Sequence, residues 1–95
     1  MHPLDALGSP VRRDILRELR AGPRSVQDLA DRFPVSRPAI SRHLRVLRDA
    51  GLVDARPDGN RTLYTVRLQG FASVRDFLDE FWDTALARLV ELSQE

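Results

Sequence analysis

The sequence predicts a mainly α-helical domain with a β-hairpin, in the order α-α-α-α-β-β-α. Apolar residues recur at helical spacing over the first half of the chain, two alternating runs flank Pro57-Asp58-Gly59-Asn60, and a long amphipathic segment follows. Two short helices joined by a tight turn and followed directly by a hairpin form a winged helix-turn-helix. We expect one domain over residues 1–95, with the helix-turn-helix, the wing and the terminal helix at about 25–51, 52–68 and 71–92.

The composition restricts the classes to which the protein can belong. A chain of 95 residues, of which 42% are hydrophobic, supports one small core. The absence of cysteine excludes disulfides, thiolate metal ligands and a cysteine nucleophile. No apolar run approaches the roughly 18 residues of a membrane span, and the amino terminus lacks a signal-peptide pattern. We therefore expect a soluble cytoplasmic protein with no membrane contact and no cofactor.

The charges are divided unequally along the chain. Residues 1–68 contain thirteen arginines against eight acidic residues, a net charge of +5, whereas residues 69–95 contain two arginines against six acidic residues, a net charge of −4. The chain has no lysine. The first two thirds therefore provide the candidate surface for a polyanion, and the terminal segment does not.

The first two helices are marked by their starting residues. Residues 2–7 predict a short helix with Leu4 and Leu7 on its apolar side. Ser9 followed by Pro10 is an N-cap followed by proline at the first helical position. The second helix stops at Gly22-Pro23, and its predicted core residues are Val11, Ile15, Leu16 and Leu19.

The third and fourth helices form the predicted helix-turn-helix. Ser25 and Asp28 resemble a capping box with Asp in place of Glu. Three residues, Pro34-Val35-Ser36, separate this helix from the next, which we expect over residues 36–50 with Ser36 as N-cap and Gly51 after its end. The predicted apolar faces are Val26, Leu29, Ala30 and Phe33 on the third helix, and Ile40, Leu44 and Leu47 on the fourth.

The opposite face of the fourth helix carries residues suited to a DNA groove. Arg42 is the first candidate for reading bases and Arg37 the second, because a guanidinium can donate two hydrogen bonds to guanine O6 and N7. Ser41 and Pro38 would shape the approach to the bases, and Arg45 would hold a phosphate. Ser36 caps the helix and is a candidate donor to a phosphate.

The hairpin adds two further candidate contacts. Alternation places Leu52, Asp54 and Arg56 on one side of the first strand and Val53 and Ala55 on the other. Arg61, at the tip, is the candidate contact to phosphate or to a narrow minor groove, and Arg56 supports it. The alternative interpretation is that both arginines only keep a surface hairpin soluble.

The terminal segment, residues 72–92, predicts a helix whose apolar face is wider than one small core requires. Part of this face would close the core of the chain, and we expect a second copy to cover the rest, giving a homodimer through the terminal helices. The candidate dimerisation residues are Leu4, Leu7, Val74, Phe77, Leu78, Phe81, Trp82, Ala85, Leu89 and Leu92.

Two further groups of polar residues have a structural and a functional interpretation. Four acidic residues recur on the terminal helix, namely Asp76, Asp79, Glu80 and Asp83. A solvated face is favoured over a site for a hard cation, and soft metals would need nitrogen or sulfur ligands that this helix lacks. His43 lies at the edge of the apolar stripe, where a hydrogen-bonded position at the core margin is favoured over DNA contact or pH sensing.

The pattern Ser36-x-Pro38-x-Ile40-Ser41-x-His43-Leu44, with Gly51-Leu52-Val53, Gly59-Asn60-Arg61, Tyr64 and Phe81-Trp82, resembles the ArsR/SmtB family of small bacterial winged-helix regulators. The chain has no cysteine and its last helix has no histidine, so it resembles the metal-independent branch, which includes autorepressors. The resemblance implies a symmetric dimer with recognition helices in successive major grooves. An unidentified small molecule, a partner protein or the regulator's own concentration would then control release from DNA.

These observations favour a DNA-binding transcription regulator, most simply a dimeric repressor that occludes an inverted-repeat operator. The alternative is a winged-helix module for protein–protein interaction, or an accessory regulator that works with a partner protein. We expect no enzymatic activity. Ser41, His43 and Asp49 are residue types used in nucleophilic catalysis, but Ser41 and His43 are two positions apart on a helix and face apart.

Overall fold

A computed structural model describes residues 1–94 and confirms the expected fold class, a mainly helical chain with a two-stranded antiparallel hairpin. A 3-10 helix, Leu68–Phe71, leads from the hairpin into the last helix. The elements are α1 (Pro3–Ala6), α2 (Pro10–Arg20), α3 (Val26–Ala30), α4 (Arg37–Asp49), β1 (Val53–Asp58), β2 (Arg61–Val66) and α5 (Ala72–Ser93).

Serine side chains begin three of the helices, as the sequence predicts. The Ser9 hydroxyl accepts a hydrogen bond from the Arg12 amide at the start of α2. Ser25 and Asp28 form the predicted capping box, with the two reciprocal bonds at 3.1 and 3.0 Å. The Ser36 hydroxyl accepts from the third amide of α4 at 3.3 Å. Each bond satisfies an amide that the helix itself leaves without a partner.

The core lies between α2, α3, α4 and the base of the hairpin. The predicted apolar stripe of α4, Ile40, Leu44 and Leu47, is fully buried there, together with Ile15 of α2 and Leu29 of α3. Because these side chains interlock on one side of α4, the helix is held at a set rotation about its axis. That rotation determines which of its residues face solvent.

The hairpin pairs Val53 with Val66 at its base and Asp58 with Arg61 at its tip. The turn therefore consists of the two residues between them, Gly59-Asn60, and Gly59 has the positive φ of +64° that such turns require. Pro57 and Asp58, which the sequence assigns to the turn, belong to β1 instead.

Strict alternation at the start of the hairpin is wrong for one residue. It predicts Leu52 on the same side as Asp54 and Arg56, yet Leu52 is fully buried beside Val53, whereas Asp54 and Arg56 are exposed. Leu52 is not yet part of the strand, which begins at Val53.

The end of α4 gives the physical reason. Gly51 has a φ of +78°. The Leu52 amide donates to the Leu47 carbonyl, and the Gly51 amide donates to the Arg48 carbonyl, both at 2.9 Å. These two bonds form a Schellman motif, which directs the residue after the glycine back towards the helix. Leu52 and Leu47 consequently share the same core.

The last helix extends away from the rest of the chain. The molecule measures 62 Å along its longest axis and 25 and 23 Å along the others. Only Val74 of α5 is buried, so α5 closes less of the core than its sequence predicts. Within residues 1–94, no helix combines the length and the apolar character needed to cross a bilayer.

Candidate nucleic-acid interface

The outer face of α4 presents all of the side chains predicted for DNA contact on this helix. Each of them is exposed, on the side of the helix away from the buried stripe, whereas His43 at the stripe's edge is half-buried. The rotation of α4 is held by its core contacts and its start by the Ser36 cap, so the face is preformed. The exposed residues are Ser36, Arg37, Pro38, Ser41, Arg42 and Arg45.

The hairpin brings Arg61 to the tip and Arg56 to the first strand, both exposed as predicted. Arg61 is surrounded by more negative charge than the sequence indicates. Its Nε lies 3.4 Å from Asp58 Oδ2, and its Nη1 lies 3.9 Å from Asp28 Oδ2. Arg61 therefore faces two carboxylates in the unbound protein, one of them from α3.

Asp28 is held in place by the helix that it caps. Its Oδ2 accepts the Ser25 amide. Hydrogen bonds from the Ser25 amide and hydroxyl, with the charges of Arg61 and Arg32 as smaller contributions, lower the pKa of Asp28 below its ordinary value. The carboxylate opposite Arg61 is thus both ionised and oriented.

Two hollows of about 390 and 520 Å³ lie beside α4 and the hairpin, the first of them also against the start of α3. We call the two hollows together the helix–wing cleft. Arg37 and Arg61 line the first hollow and Ser41, Arg45 and Arg48 line the second, while Tyr64 lines both. Two residues that the sequence left without a role in DNA contact, Arg48 and Tyr64, therefore lie beside four that it selected.

The hairpin is anchored by a contact that the sequence does not reveal. The Tyr64 amide donates to the Arg24 carbonyl at 2.8 Å, and the Arg24 amide donates to the Tyr64 carbonyl at 3.2 Å. This isolated bridge adds Arg24, from the connection between α2 and α3, alongside β2. Because Arg24 is a single paired residue after Pro23, no alternating pattern in the sequence predicts this pairing.

His43 is half-buried between α4 and α2, which agrees with a position at the core margin. Its Nδ1 lies 3.5 Å from Arg12 Nη1. Arg12 also donates from Nε to the Ala6 carbonyl at 2.6 Å, so one guanidinium connects α1 to α4. Burial first, and then the charges of Arg12 and Arg42, lower the pKa of His43, which disfavours its protonated form.

The apolar face of α5 is largely uncovered. Phe81 is 59% exposed and Trp82 63% exposed, and an open apolar groove of about 680 Å³ runs beside them. Val74 is the exception among the predicted dimerisation residues of α5, because it is buried within the chain and offers little surface to a partner. Leu4 and Leu7 are half-buried on α1 and just after it.

The acidic residues of α5 are exposed. Within residues 1–94, no group of three or more histidine or acidic side chains has the arrangement of a metal site. The acidic face therefore offers no assembled cation site in the part of the chain that the structure describes.

Comparison with known proteins places this geometry in a family. A family model described as a helix-turn-helix domain matches residues 7–56. The HTH-type transcriptional regulator Rv2034 of Mycobacterium tuberculosis is 46% identical over 87 residues, which are 92% of this chain and 81% of that protein. The HTH-type transcriptional repressor SmtB of the same species is 41% identical over 64% of this chain and 45% of its own length.

A crystal structure of a possible transcriptional regulator for arsenical resistance superposes with a TM-score of 0.82 at 44% identity, covering 96% of this chain and 95% of that one. The sequence match and the structural match both extend over more than nine tenths of the chain. The relatives are transcription regulators and not enzymes. The chain belongs to the ArsR/SmtB family of winged helix-turn-helix transcription regulators.

Proposed function

We propose that the protein is a homodimeric repressor that binds an inverted-repeat DNA operator through α4 and the hairpin. The observation that carries this proposal is the preformed outer face of α4, which presents two serines, a proline and three arginines to solvent. Contacts from such side chains to DNA phosphates supply affinity, and arginine contacts to base edges supply sequence preference.

The residues divide into two roles. Arg42 and Arg37 read base edges, with Ser41 and Pro38 beside them. Arg45 and the Ser36 hydroxyl contact phosphates, and Arg61 supported by Arg56 extends these contacts from the hairpin. Arg61 has to exchange its two carboxylate neighbours for phosphate when DNA binds.

The dimer supplies the symmetry of the operator. A second copy would cover the exposed apolar face of α5, with Leu4 and Leu7 at its edge. Two recognition helices related by a two-fold axis address half-sites whose centres are about one helical turn apart. Binding over a promoter then excludes polymerase. The chain has no cysteine, so control by thiolate-bound metal is not part of this proposal.

The test is fluorescence anisotropy of the protein on its own upstream DNA and on random DNA of equal length, at two salt concentrations. We expect a preference for the upstream DNA that persists at the higher salt. Arg42→Ala should weaken specific binding by about 1–3 kcal/mol and relax the preference at one position of each half-site. Arg17→Ala is the matched control, since Arg17 is an exposed arginine on α2, paired with Asp14 at 2.6 Å.

Equal and salt-sensitive binding to both DNAs would show that the protein recognises DNA only by charge. Absence of binding to either DNA would favour the alternative of a protein-interaction module. An Arg42→Ala variant with the parental footprint and base preferences would remove Arg42 from the base contacts.

A further inference from the structure

Tyr64 lies at the junction of α4, the hairpin and the connection between α2 and α3. Its backbone lies opposite Ala55 in the register of the hairpin, and its amide and carbonyl both bond to Arg24 on the other side of β2. Its side chain is half-buried against the core. The aromatic ring therefore has a set position, and it is the one residue that lines both hollows of the helix–wing cleft.

The phenolic hydroxyl of Tyr64 is available to a ligand. No group within residues 1–94 hydrogen-bonds to it, and it is not among the buried polar atoms without a partner in that part of the chain. A phenol both donates and accepts hydrogen bonds. A half-buried ring thus presents a solvent-reached donor beside the helix–wing cleft.

The cleft around this hydroxyl is positively charged. Arginines line it at four positions, against two acidic residues, Asp28 and Asp49. Arg48 lies in the last turn of α4, in the same hollow as Ser41 and Arg45. The four arginines are Arg37, Arg45, Arg48 and Arg61.

The kind of ligand that fits the helix–wing cleft follows from the two elements beside it, α4 and the hairpin. When α4 occupies the major groove and the hairpin reaches towards the minor groove, the sugar-phosphate strand that separates the two grooves passes between them. Contacts to phosphates set the register and orientation of a protein on the duplex. A hydroxyl donor and a guanidinium that line the same hollow suit one phosphodiester group of that strand.

We propose that the Tyr64 hydroxyl and the Arg48 guanidinium together hold one DNA phosphate in the helix–wing cleft and so set the register of α4 in the major groove. This assignment depends on the proposed DNA binding and adds to it two residues outside the predicted contact set. Both are positioning residues, because they act on the base contacts of Arg42 through the placement of α4.

Each residue also has a structural effect that the test must separate. A cation in the last turn of a helix is favourable by itself, and the Tyr64 ring packs against the core. Tyr64→Phe keeps the ring and removes only the hydroxyl. Arg17→Ala again serves as the control for loss of one exposed arginine outside the cleft.

The experiment is ethylation interference on the duplex that the wild-type protein selects from a random pool, combined with anisotropy at several salt concentrations. Tyr64→Phe should lose about tenfold in affinity for each half-site, and so about a hundredfold for the dimer, as expected for a hydrogen bond to a charged group. It should also lose interference at one phosphate of each half-site. Arg48→Ala should lose interference at the same phosphate and lower the slope of log affinity against log salt by about two, because each of the two half-sites loses one phosphate contact.

The proposal is overturned if Tyr64→Phe keeps the parental affinity and the parental interference pattern. If Arg42→Ala still loses base preference in that case, the proposed repressor function is retained and only the phosphate contact of Tyr64 and Arg48 is rejected. A wild-type protein that selects no duplex overturns both. The melting temperature of each variant is measured as well. If Tyr64→Phe melts at a lower temperature than the wild type, the interference pattern of Arg48→Ala decides. Loss of interference at the one phosphate of each half-site supports the proposal, and an unchanged interference pattern refutes it.

Discussion

Replacing Phe81 with glutamate should prevent the homodimer that we propose to form through α5. Phe81 lies in the middle of the helix and its ring centroid is 5.0 Å from that of Phe77, with an interplanar angle of 56°. Trp82 follows it, and both rings are largely exposed in the single chain. A second copy is the partner that would remove these rings from water.

The magnitude follows from the exposed fraction of the side chain. A large aromatic side chain buries about 200 Å² when covered, so a 59% exposed Phe81 leaves roughly 120 Å² for a partner. At about 25 cal/mol per Å², covering it contributes at most about 3 kcal/mol in each protomer. Glutamate loses this contribution and adds a carboxylate whose desolvation costs several kcal/mol. Because both changes occur twice in a symmetric dimer, we expect the dissociation constant to rise more than about a hundredfold.

Two measurements report the change. Sedimentation equilibrium gives the mass of the species directly. Trp82 is the chain's one tryptophan, so its emission should shift to shorter wavelength as the wild-type protein dimerises with rising concentration. Phe81→Glu should keep the long-wavelength emission at every concentration, because its Trp82 stays in water.

Ala87→Glu is the matched control. It adds the same charge to α5, on the side that carries Asp76, Glu80 and Asp83 at helical spacing. This variant should dimerise as the wild type does. A Phe81→Glu variant that remains dimeric, or an Ala87→Glu variant that dissociates to the same extent, would refute the proposed dimer interface.

Three further outcomes follow from the structure. Leu44→Ala should lower the free energy of unfolding in urea by about 2–5 kcal/mol, because Leu44 is fully buried, and a loss below about 1 kcal/mol would contradict its place in the core. Burial and two arginines lower the pKa of His43, so below about pH 6.5 the folded state binds fewer protons than the unfolded state. The free energy of unfolding should therefore fall as the pH drops below about 6.5. Urea titrations of His43→Gln should show a flatter dependence on pH. Asp28→Asn removes a carboxylate 3.9 Å from Arg61 and should raise DNA affinity about threefold at low salt in anisotropy titrations. No gain in affinity, or an equal gain from the control Asp31→Asn, would refute competition between the Asp28 carboxylate and DNA phosphate for Arg61.

The features that could be predicted from the chain are local ones. The Ser9, Ser25 and Ser36 caps each act within three residues, and the structure contains all three hydrogen bonds. The stripe of Ile40, Leu44 and Leu47 is readable because helical spacing alone brings these side chains together. The arginines of α4 are exposed for the same reason, because they occupy the helix positions outside the buried apolar stripe.

The features that the chain does not reveal join residues distant along it. Asp28 and Arg61 are 33 positions apart, and only the packing of α3 against the hairpin brings the carboxylate to the arginine. Arg24 and Tyr64 pair across a similar separation with no repeating pattern around Arg24. Leu52 is misassigned by alternation because the Schellman motif at Gly51, and not the strand, sets its direction.

Helical periodicity, strand alternation and capping chemistry are therefore sufficient to predict the winged helix-turn-helix and the exposed face of α4, because each depends on neighbours within about one turn of helix or one strand pair. The family resemblance rests instead on the identities of the motif residues. The helix–wing cleft depends on how the hairpin packs against the helices. Leu52 joins the core and Tyr64 bonds to Arg24, and both are contacts between separate elements. Side chains such as Tyr64 and Arg48 acquire a shared surface only when that packing brings them together, so their joint role emerged from the folded molecule alone.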